Sequence, residues 1–389
     1  MNILFLMKSY GVGGIEVVTA TLSSCFVRHE HHVVIATFAP PDKLTEERTD
    51  HRVKIYTLGE YKCSESNVAS LRKVLIEHQI DVVINQWGLP LVPCRVLNKA
   101  KKGLKIKTIA VYHNQIDTNA RIKDVEIALD SSQNPWKRLF LKLKKAAYRF
   151  MTSQSMAYVY RNTDLYQVLS PSYIPLFSQF TGIKHPKHLM VQTNPVTLDS
   201  SDFIYSFSKK EKEIIYLGRI DYNQKRVYRV IDTWTKLESL HPNWKLTIVG
   251  DGVERKNLEK QVADYGLKRV SFEGFQQPKP YYKRASILLL TSEYEGFPLV
   301  LTECMSFGVI PVVYDSYAAV RDIIDNGKDG VVIPFCPNGY KADIAAQMVA
   351  DVMENNEKRN AMALAAIEKS KNYSVEEIYN KWLSIMQAL

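Results

Sequence analysis

The stretch Ile287-Leu-Leu-Leu-Thr291-Ser-Glu-Tyr-Glu295-Gly-Phe-Pro298-Leu-Val-Leu-Thr-Glu303 joins an apolar run to a turn and to two carboxylates eight positions apart. Ile287–Thr291 is short, continuous and apolar, as a buried strand is. Pro298 suits the first turn of a helix, where its fixed φ is already helical and no N–H is needed, and that helix is expected to run to about Phe307. Glu295 then sits in the loop at the carboxyl end of a strand, where open α/β sheets bind ligands. The free amides of residues about 298 to 300 open the helix and are expected to face an anion such as a diphosphate. Glu303 lies further along, and helical side chains lean back toward the N-terminus. Its carboxylate can accept two hydroxyl protons from a ribose, as the acidic residue of dinucleotide-binding folds does. A diphosphate, a ribose and a second carboxylate for another polyol together point to a nucleotide sugar.

The same alternation of strand and helix runs through the chain. Strands are expected at Asn2–Met7, Val33–Phe38, Val53–Leu58, Asp81–Asn85, Lys107–Val111 and Tyr166–Leu169, then at Ile214–Leu217, Lys245–Val249, Val270–Phe272, Ile287–Thr291, Ile310–Val313 and Gly330–Ile333. Short β-rich runs separated by helical patterns mean βαβ units and parallel sheets. The Pro- and Ser-bearing stretch Asn194–Asp202 breaks the pattern and reads as a linker. A chain of 389 residues favours two domains. They are expected at 1–195 and 203–372, followed by a Trp-bearing helix over 373–389.

Apolar content of 46% and charged content of 24% are those of a globular protein with a full core. No run approaches the twenty or so apolar residues of a membrane span. Met1–Met7 is too short for a signal peptide's apolar region and lacks a cationic lead, so a cytoplasmic location is expected. The five cysteines are scattered without a C-x-x-C pair, which argues against disulfides and thiolate metal sites. His29, His31 and His32 fall at a helix-to-strand turn and read as turn residues, so no metal is expected. Residues 1–200 hold 26 Lys and Arg against 16 Asp and Glu, while residues 201–389 hold 25 of each. The whole excess of +10 therefore belongs to the first half and implies an anionic partner there. It is concentrated in Lys99–Lys107 and in Trp136–Met151. At 100° per residue Trp136, Leu139, Phe140, Leu143, Ala147, Phe150 and Met151 share one arc, with cations over most of the remainder. Two readings stand: an interfacial helix at an anionic membrane, or an ordinary core face with its basic side in solvent.

The block Glu295–Val313 (EGFPLVLTECMSFGVIPVV) resembles the donor-site segment of retaining glycosyltransferases with two facing Rossmann-like domains, the GT-B fold, and glycosyltransferase family four (glycosyl transferases group 1) in particular. The likeness implies an α/β chain whose first domain takes an acceptor and whose second takes a nucleotide sugar, with the last helix crossing back onto the first domain. Within the block it implies that Gly296, Phe297, Pro298, Leu299, Val300 and Glu303 bind the donor and that Glu295 orients the sugar.

Other motifs fit the same frame. Gly11-Val-Gly13-Gly14-Ile-Glu16 follows the first strand, but a dinucleotide G-x-G-x-x-G would need Gly at 16, so NAD and FAD are disfavoured. It is similar instead to the family's Gly-Gly-x-Glu loop, which lies against the donor diphosphate or the acceptor. Arg219 and Lys225, in Tyr216-Leu-Gly-Arg-Ile-Asp-Tyr-Asn-Gln-Lys225, follow a strand end. A guanidinium fork and a point-charge ammonium suit the phosphates of a leaving nucleoside diphosphate without a metal ion. Gly250 and Phe275 end two further strands, where the resemblance places the base. His113 ends a first-domain strand, where family members use a histidine near the sugar hydroxyls; Asp117 matches no motif. The expected activity is transfer of a hexose or N-acetylhexosamine from a nucleotide sugar, UDP favoured, to a glycan acceptor, lipid-linked, in cell-surface polysaccharide synthesis, with no cofactor and no nucleic acid. A non-catalytic sugar-binding subunit and a nucleotide-sugar epimerase remain alternatives. The enzyme would work in the cytoplasm or at the inner face of the membrane.

Overall fold

Seven strands pair in parallel to form the first sheet: β1 (Asn2–Met7), β2 (His32–Thr37), β3 (Lys54–Thr57), β4 (Val82–Asn85), β5 (Lys107–Val111), β6 (Leu165–Val168) and β7 (Leu189–Val191). Their order is β3-β2-β1-β4-β5-β6-β7. The computed structural model describes residues 1–11 and 13–389; Val12 of the Gly11–Glu16 loop lies outside the described residues. Two units result, one of Met1–Thr197 with Ser374–Leu389, the other of Leu198–Tyr373.

Covered on both faces, the central strands are apolar apart from Asn2 and Asn85 at their ends rather than alternating, as buried parallel strands are. On one face Leu4, Leu6, Val34, Ala36 and Val83 pack with Leu71, Val74 and Leu75 of the helix Glu65–Glu77 and with Val96 and Leu97 of the helix Leu91–Ala100. β7 is the strand that the sequence pattern misses. It has three half-buried residues on the sheet edge, too few to show a period.

The second sheet repeats the plan with β8 (Glu213–Leu217), β9 (Lys245–Val249), β10 (Val270–Gly274), β11 (Ile287–Leu290), β12 (Ile310–Tyr314) and β13 (Val331–Ile333), in the order β10-β9-β8-β11-β12-β13. In each sheet the chain reverses its direction of winding once, between β1 and β4 and between β8 and β11. The loops that leave the carboxyl ends of those two strands diverge there and open a crevice. In unit 2 these are the loops that carry Arg219, Lys225 and Glu295.

The helix after β11 is Leu299–Ser306, one residue later than expected, with Pro298 as its N-cap at φ −68° and ψ 113°. The extended ψ keeps Pro298 outside the helix, and a proline has no N–H. The amides able to face an anion are therefore those of Leu299 and Val300, because the Leu301 amide already donates to the Pro298 carbonyl at 3.1 Å.

The closing helix, Val375–Gln387, starts where the Ser374 hydroxyl accepts the Glu377 amide at 3.3 Å. Its buried face of Ile378, Tyr379, Trp382 and Met386 packs within unit 1, next to the helix Gly14–Arg28. Glu376 pairs with His29 at 2.8 Å and Arg28 at 3.6 Å, and the Tyr379 ring stacks on His29 at 3.9 Å. The three clustered histidines make different hydrogen bonds: His29 with Glu376, His31 with Tyr379, and His32 with His78. Trp382 is 2% exposed, so Trp382→Ala removes a large side chain from a closed interface. It should cost about 3–5 kcal/mol, read as a lower denaturant midpoint for the transition of unit 1; an unchanged midpoint would show that the helix is only loosely attached.

Candidate active site

Backbone contact between two loops sets the floor of the unit 2 site. Gly218 donates its amide to the Val249 carbonyl at 3.0 Å, and Ile220 to the Asp251 carbonyl at 2.8 Å. A Cβ on Gly250 would lie 1.9 Å from the Gly218 carbonyl oxygen, and one on Gly252 2.1 Å from that of Ile220. Both glycines also have positive φ, 138° and 158°. Only residues without side chains let the loops after β8 and β9 lie this close. Phe275, after β10, is 60% exposed.

Across this floor run Arg219, Asp221, Gln224 and Lys225. The Lys225 ammonium donates to Glu295 Oε1 at 2.6 Å, with side-chain exposures of 18% and 8%. Gln224 Nε2 donates to Glu295 Oε2 at 3.3 Å and to the Tyr294 carbonyl at 3.2 Å. Arg219 donates through Nε to Asp221 at 2.8 Å and through Nη2 to the Gln224 side-chain carbonyl at 3.0 Å. Asp221 Oδ1 in turn accepts the amides of Gln224 and Lys225, at 2.7 and 3.2 Å. Arg219, Lys225 and Glu295 thus belong to one hydrogen-bonded chain. Arg219 is not a bare cation: its charge is shared with Asp221.

Glu303 is 6% exposed and accepts the Tyr282 hydroxyl at 3.2 Å. The fully buried ring of Tyr282 lies against Phe307. Beneath it the Lys210 ammonium donates to the Tyr282 carbonyl at 2.7 Å, and burial pushes Lys210 down to about 7. Phe297 turns its side chain inward onto Tyr373, with ring centroids 5.5 Å apart and 5% exposure, so Gly296 and Phe297 offer a ligand mainly backbone. Asp221, Gln224 and Tyr282 are site residues to which sequence reasoning gives no role. Gln224 was visible only as a neighbour of Lys225, and Tyr282 comes from a helix whose sequence carries no motif. Behind them, Arg229 donates to Glu293 at 2.7 Å, anchoring the Glu295 loop from below.

Unit 1 holds the remaining predicted residues. Gly13 is extended, and a Cβ there would meet Glu16 Oε2 at 2.5 Å, because the Glu16 carboxyl folds back over the turn. Burial raises that carboxyl above its ordinary range. Gly14 opens the following helix. His113, just past β5, is hydrogen-bonded to Gln86 at 2.6 Å, and its protein surroundings push the imidazole down to about 3. Asp117 accepts from Gln115 at 2.9 Å, while its carbonyl receives Arg149 at 2.8 Å. A cavity of about 660 Å³ lies elsewhere, at the amino ends of β8–β10, lined by residues such as Lys212, Trp244 and Arg269 and by none of the site residues above.

Two family models match this chain: Glycosyltransferase Family 4 over residues 12–171 and Glycosyl transferases group 1 over residues 199–369. The Campylobacter jejuni enzyme GalNAc-alpha-(1->4)-GalNAc-alpha-(1->3)-diNAcBac-PP-undecaprenol alpha-1,4-N-acetyl-D-galactosaminyltransferase is 26% identical over 99% of this chain and 98% of its own. The amylovoran biosynthesis glycosyltransferase AmsD of Erwinia amylovora is 29% identical over 46% of this chain and 49% of its own. Among solved structures, Anabaena Alr3699/HepE in complex with UDP matches with a TM-score of 0.78 at 18% identity, over 100% of both chains. Fold and family matches together make this chain a GT-B glycosyltransferase. It belongs with the family-four enzymes.

The His113 environment has a measurable consequence. Its folded-state value, about 3, lies below the 6.5 of a free imidazole, so as pH falls the unfolded chain takes up this proton first. The stability His113 contributes is complete above about pH 6.5 and declines from there toward about pH 3. Its ring resonances in NMR should not titrate between about pH 8 and about pH 5; a midpoint near 6.5 would show a solvated, charged ring.

Proposed function

We propose that the protein is a retaining, metal-independent hexosyl- or N-acetylhexosaminyltransferase. It would use a UDP-sugar and extend a lipid-linked glycan in cell-surface polysaccharide synthesis, at the inner face of the membrane. The observation that carries this reading is the Lys225–Glu295 pair, next to the helix that bears Glu303. It sets a cation for a diphosphate beside a carboxylate for a sugar, with a second carboxylate for a ribose. The Anabaena structure with bound UDP favours uridine, and the Campylobacter enzyme's name contributes an undecaprenyl diphosphate acceptor and an α-linked product. An α-linked product from an α-linked nucleotide sugar is retention.

In this reading Glu303, fixed by Tyr282, accepts the ribose hydroxyls. Gly250 and Phe275 border the base. The amides of Leu299 and Val300 meet the diphosphate, with Gly296, Phe297 and Pro298 shaping the turn that presents them and Gly13 and Gly14 keeping their own loop open to ligand. Lys225 and Arg219 stabilise the charge that develops on the leaving phosphate; Lys225, shielded from water, acts more strongly than the exposed Arg219. Glu295 orients the sugar and shields positive charge at the anomeric carbon. Neutral His113 is a hydrogen-bonding contact for a sugar hydroxyl.

The two carboxylates should separate in mutagenesis. Glu303→Ala should weaken UDP and UDP-sugar alike in calorimetry, because the ribose is common to both. Glu295→Gln, which keeps a partner for Lys225, should leave UDP affinity intact while turnover falls about 10²–10³-fold. Equal losses of UDP affinity in both variants would refute this division.

The charge on the leaving group gives a second test. Lys225→Ala should slow transfer in metal-free buffer, while chelators should leave the wild type active. Wild-type activity that disappears with chelator would assign the charge to a divalent ion instead.

A further inference from the structure

The helix Pro135–Arg161 has 27 residues and leads into β6. At 1.5 Å per residue it is about 40 Å long, more than twice the length of a five-residue strand. Because it descends to the amino end of β6, its first turns overhang the carboxyl edge of the first sheet. There it packs on the helix Ala120–Asp130 with its polarity reversed.

The inward side carries cations bound to that neighbour and to the adjoining loops. Lys145 pairs with Glu126 at 2.8 Å, Arg138 donates to the Leu129 and Ser132 carbonyls at 2.8 and 2.9 Å, and Arg149 donates to the Asp117 carbonyl at 2.8 Å. The outward side is apolar: Trp136 is 81% exposed, Phe140 62%, Leu143 64% and Phe150 66%, with Leu139 and Met151 beside them. The arc that could have been core is therefore in solvent. Lys137 and Lys142 flank it, both exposed and without a carboxylate partner among the described residues. Lys99–Lys107 leads into the amino end of β5, at the other edge of the sheet, and does not join this surface.

We propose that this helix is an interfacial anchor that lies in the headgroup layer of an anionic membrane, with Trp136, Leu139, Phe140, Leu143, Phe150 and Met151 in the acyl boundary and Lys137 and Lys142 at the phosphates. No helix among the described residues is long and apolar enough to cross a membrane, so the helix lies on the bilayer. The unpaired flanking lysines, in the half of the chain that holds the whole positive excess, select a negative lipid surface over a second copy of this chain. For its purpose the anchor rests on the reading of the acceptor as lipid-linked; it would bring the carboxyl edge of the unit 1 sheet to such an acceptor.

Vesicle co-sedimentation of the full chain tests this. The protein should pellet with phosphatidylcholine–phosphatidylglycerol vesicles, stay in solution with phosphatidylcholine alone, and be released as salt rises. Lys137→Gln with Lys142→Gln should weaken binding about thirtyfold. Phe140→Asp with Leu143→Asp should weaken it at least as much, with unchanged far-UV circular dichroism, since both side chains are already solvent-exposed. UDP-sugar hydrolysis, which needs no membrane, should be the same in every variant; its absence in the wild type would count against the transferase reading and leave the anchor standing. Wild type that stays in solution with anionic vesicles at low salt would overturn the proposal. So would wild-type binding by the Phe140→Asp/Leu143→Asp variant, or a dimer that this variant alone dissociates while vesicle binding is unaffected.

Discussion

The ion pair between Lys225 and Glu295 is the constraint around which unit 2 is organised. The two groups meet at 2.6 Å, mostly shielded from water, so removing either leaves the other without its partner at a cost of several kcal/mol. Each partner arrives from a different side of the point where the sheet reverses its winding. Lys225 comes from the loop after β8, and Glu295 from the loop after β11. The pair therefore ties together the two strands whose divergence opens the crevice. Gln224 and Asp221 extend the tie to Arg219, so the polar floor is ordered before any ligand arrives. Such preorganisation is what electrostatic catalysis requires, because dipoles already in place need not reorient during the reaction.

That order depends on glycine elsewhere. Gly250 and Gly252 let one loop lie against the backbone of the other, and any side chain at either position would push the β8 loop, with Arg219 and Lys225, out of place. Glu303 is held from outside the crevice, by a tyrosine on the helix Lys279–Arg284 whose hydroxyl has no access to solvent. The carboxylates thus have different supports: Glu295 has a cation, and Glu303 a neutral hydroxyl. The same difference underlies the separate roles assigned to them.

Much of this was legible in the residues. Twelve of the strands show as short β-rich runs, most plainly the central ones, because parallel strands covered on both faces must be apolar. The Glu295–Glu303 segment shows because strand, turn and helix each leave a local mark. What stayed hidden depends on the third dimension. Tyr282 and Gln224 act through contacts 21 and 71 positions away in sequence. Pro298 proved to be a cap rather than a first helical residue, a distinction of ψ alone. Arg219 looked like an open phosphate ligand until Asp221 was found beside it. The apolar arc of Pro135–Arg161 gave a periodicity equally compatible with core and surface, and only packing on the Ala120–Asp130 helix showed which side faces out.

The central claim is that a diphosphate, a ribose and a sugar meet on this one network. A crystal structure of the protein with UDP tests it most directly. The account predicts phosphate oxygens within about 3 Å of Lys225 Nζ and of the Leu299 and Val300 amides, and ribose hydroxyls at the Glu303 carboxylate. UDP bound elsewhere, with Lys225 still paired to Glu295 and Glu303 untouched, would contradict it.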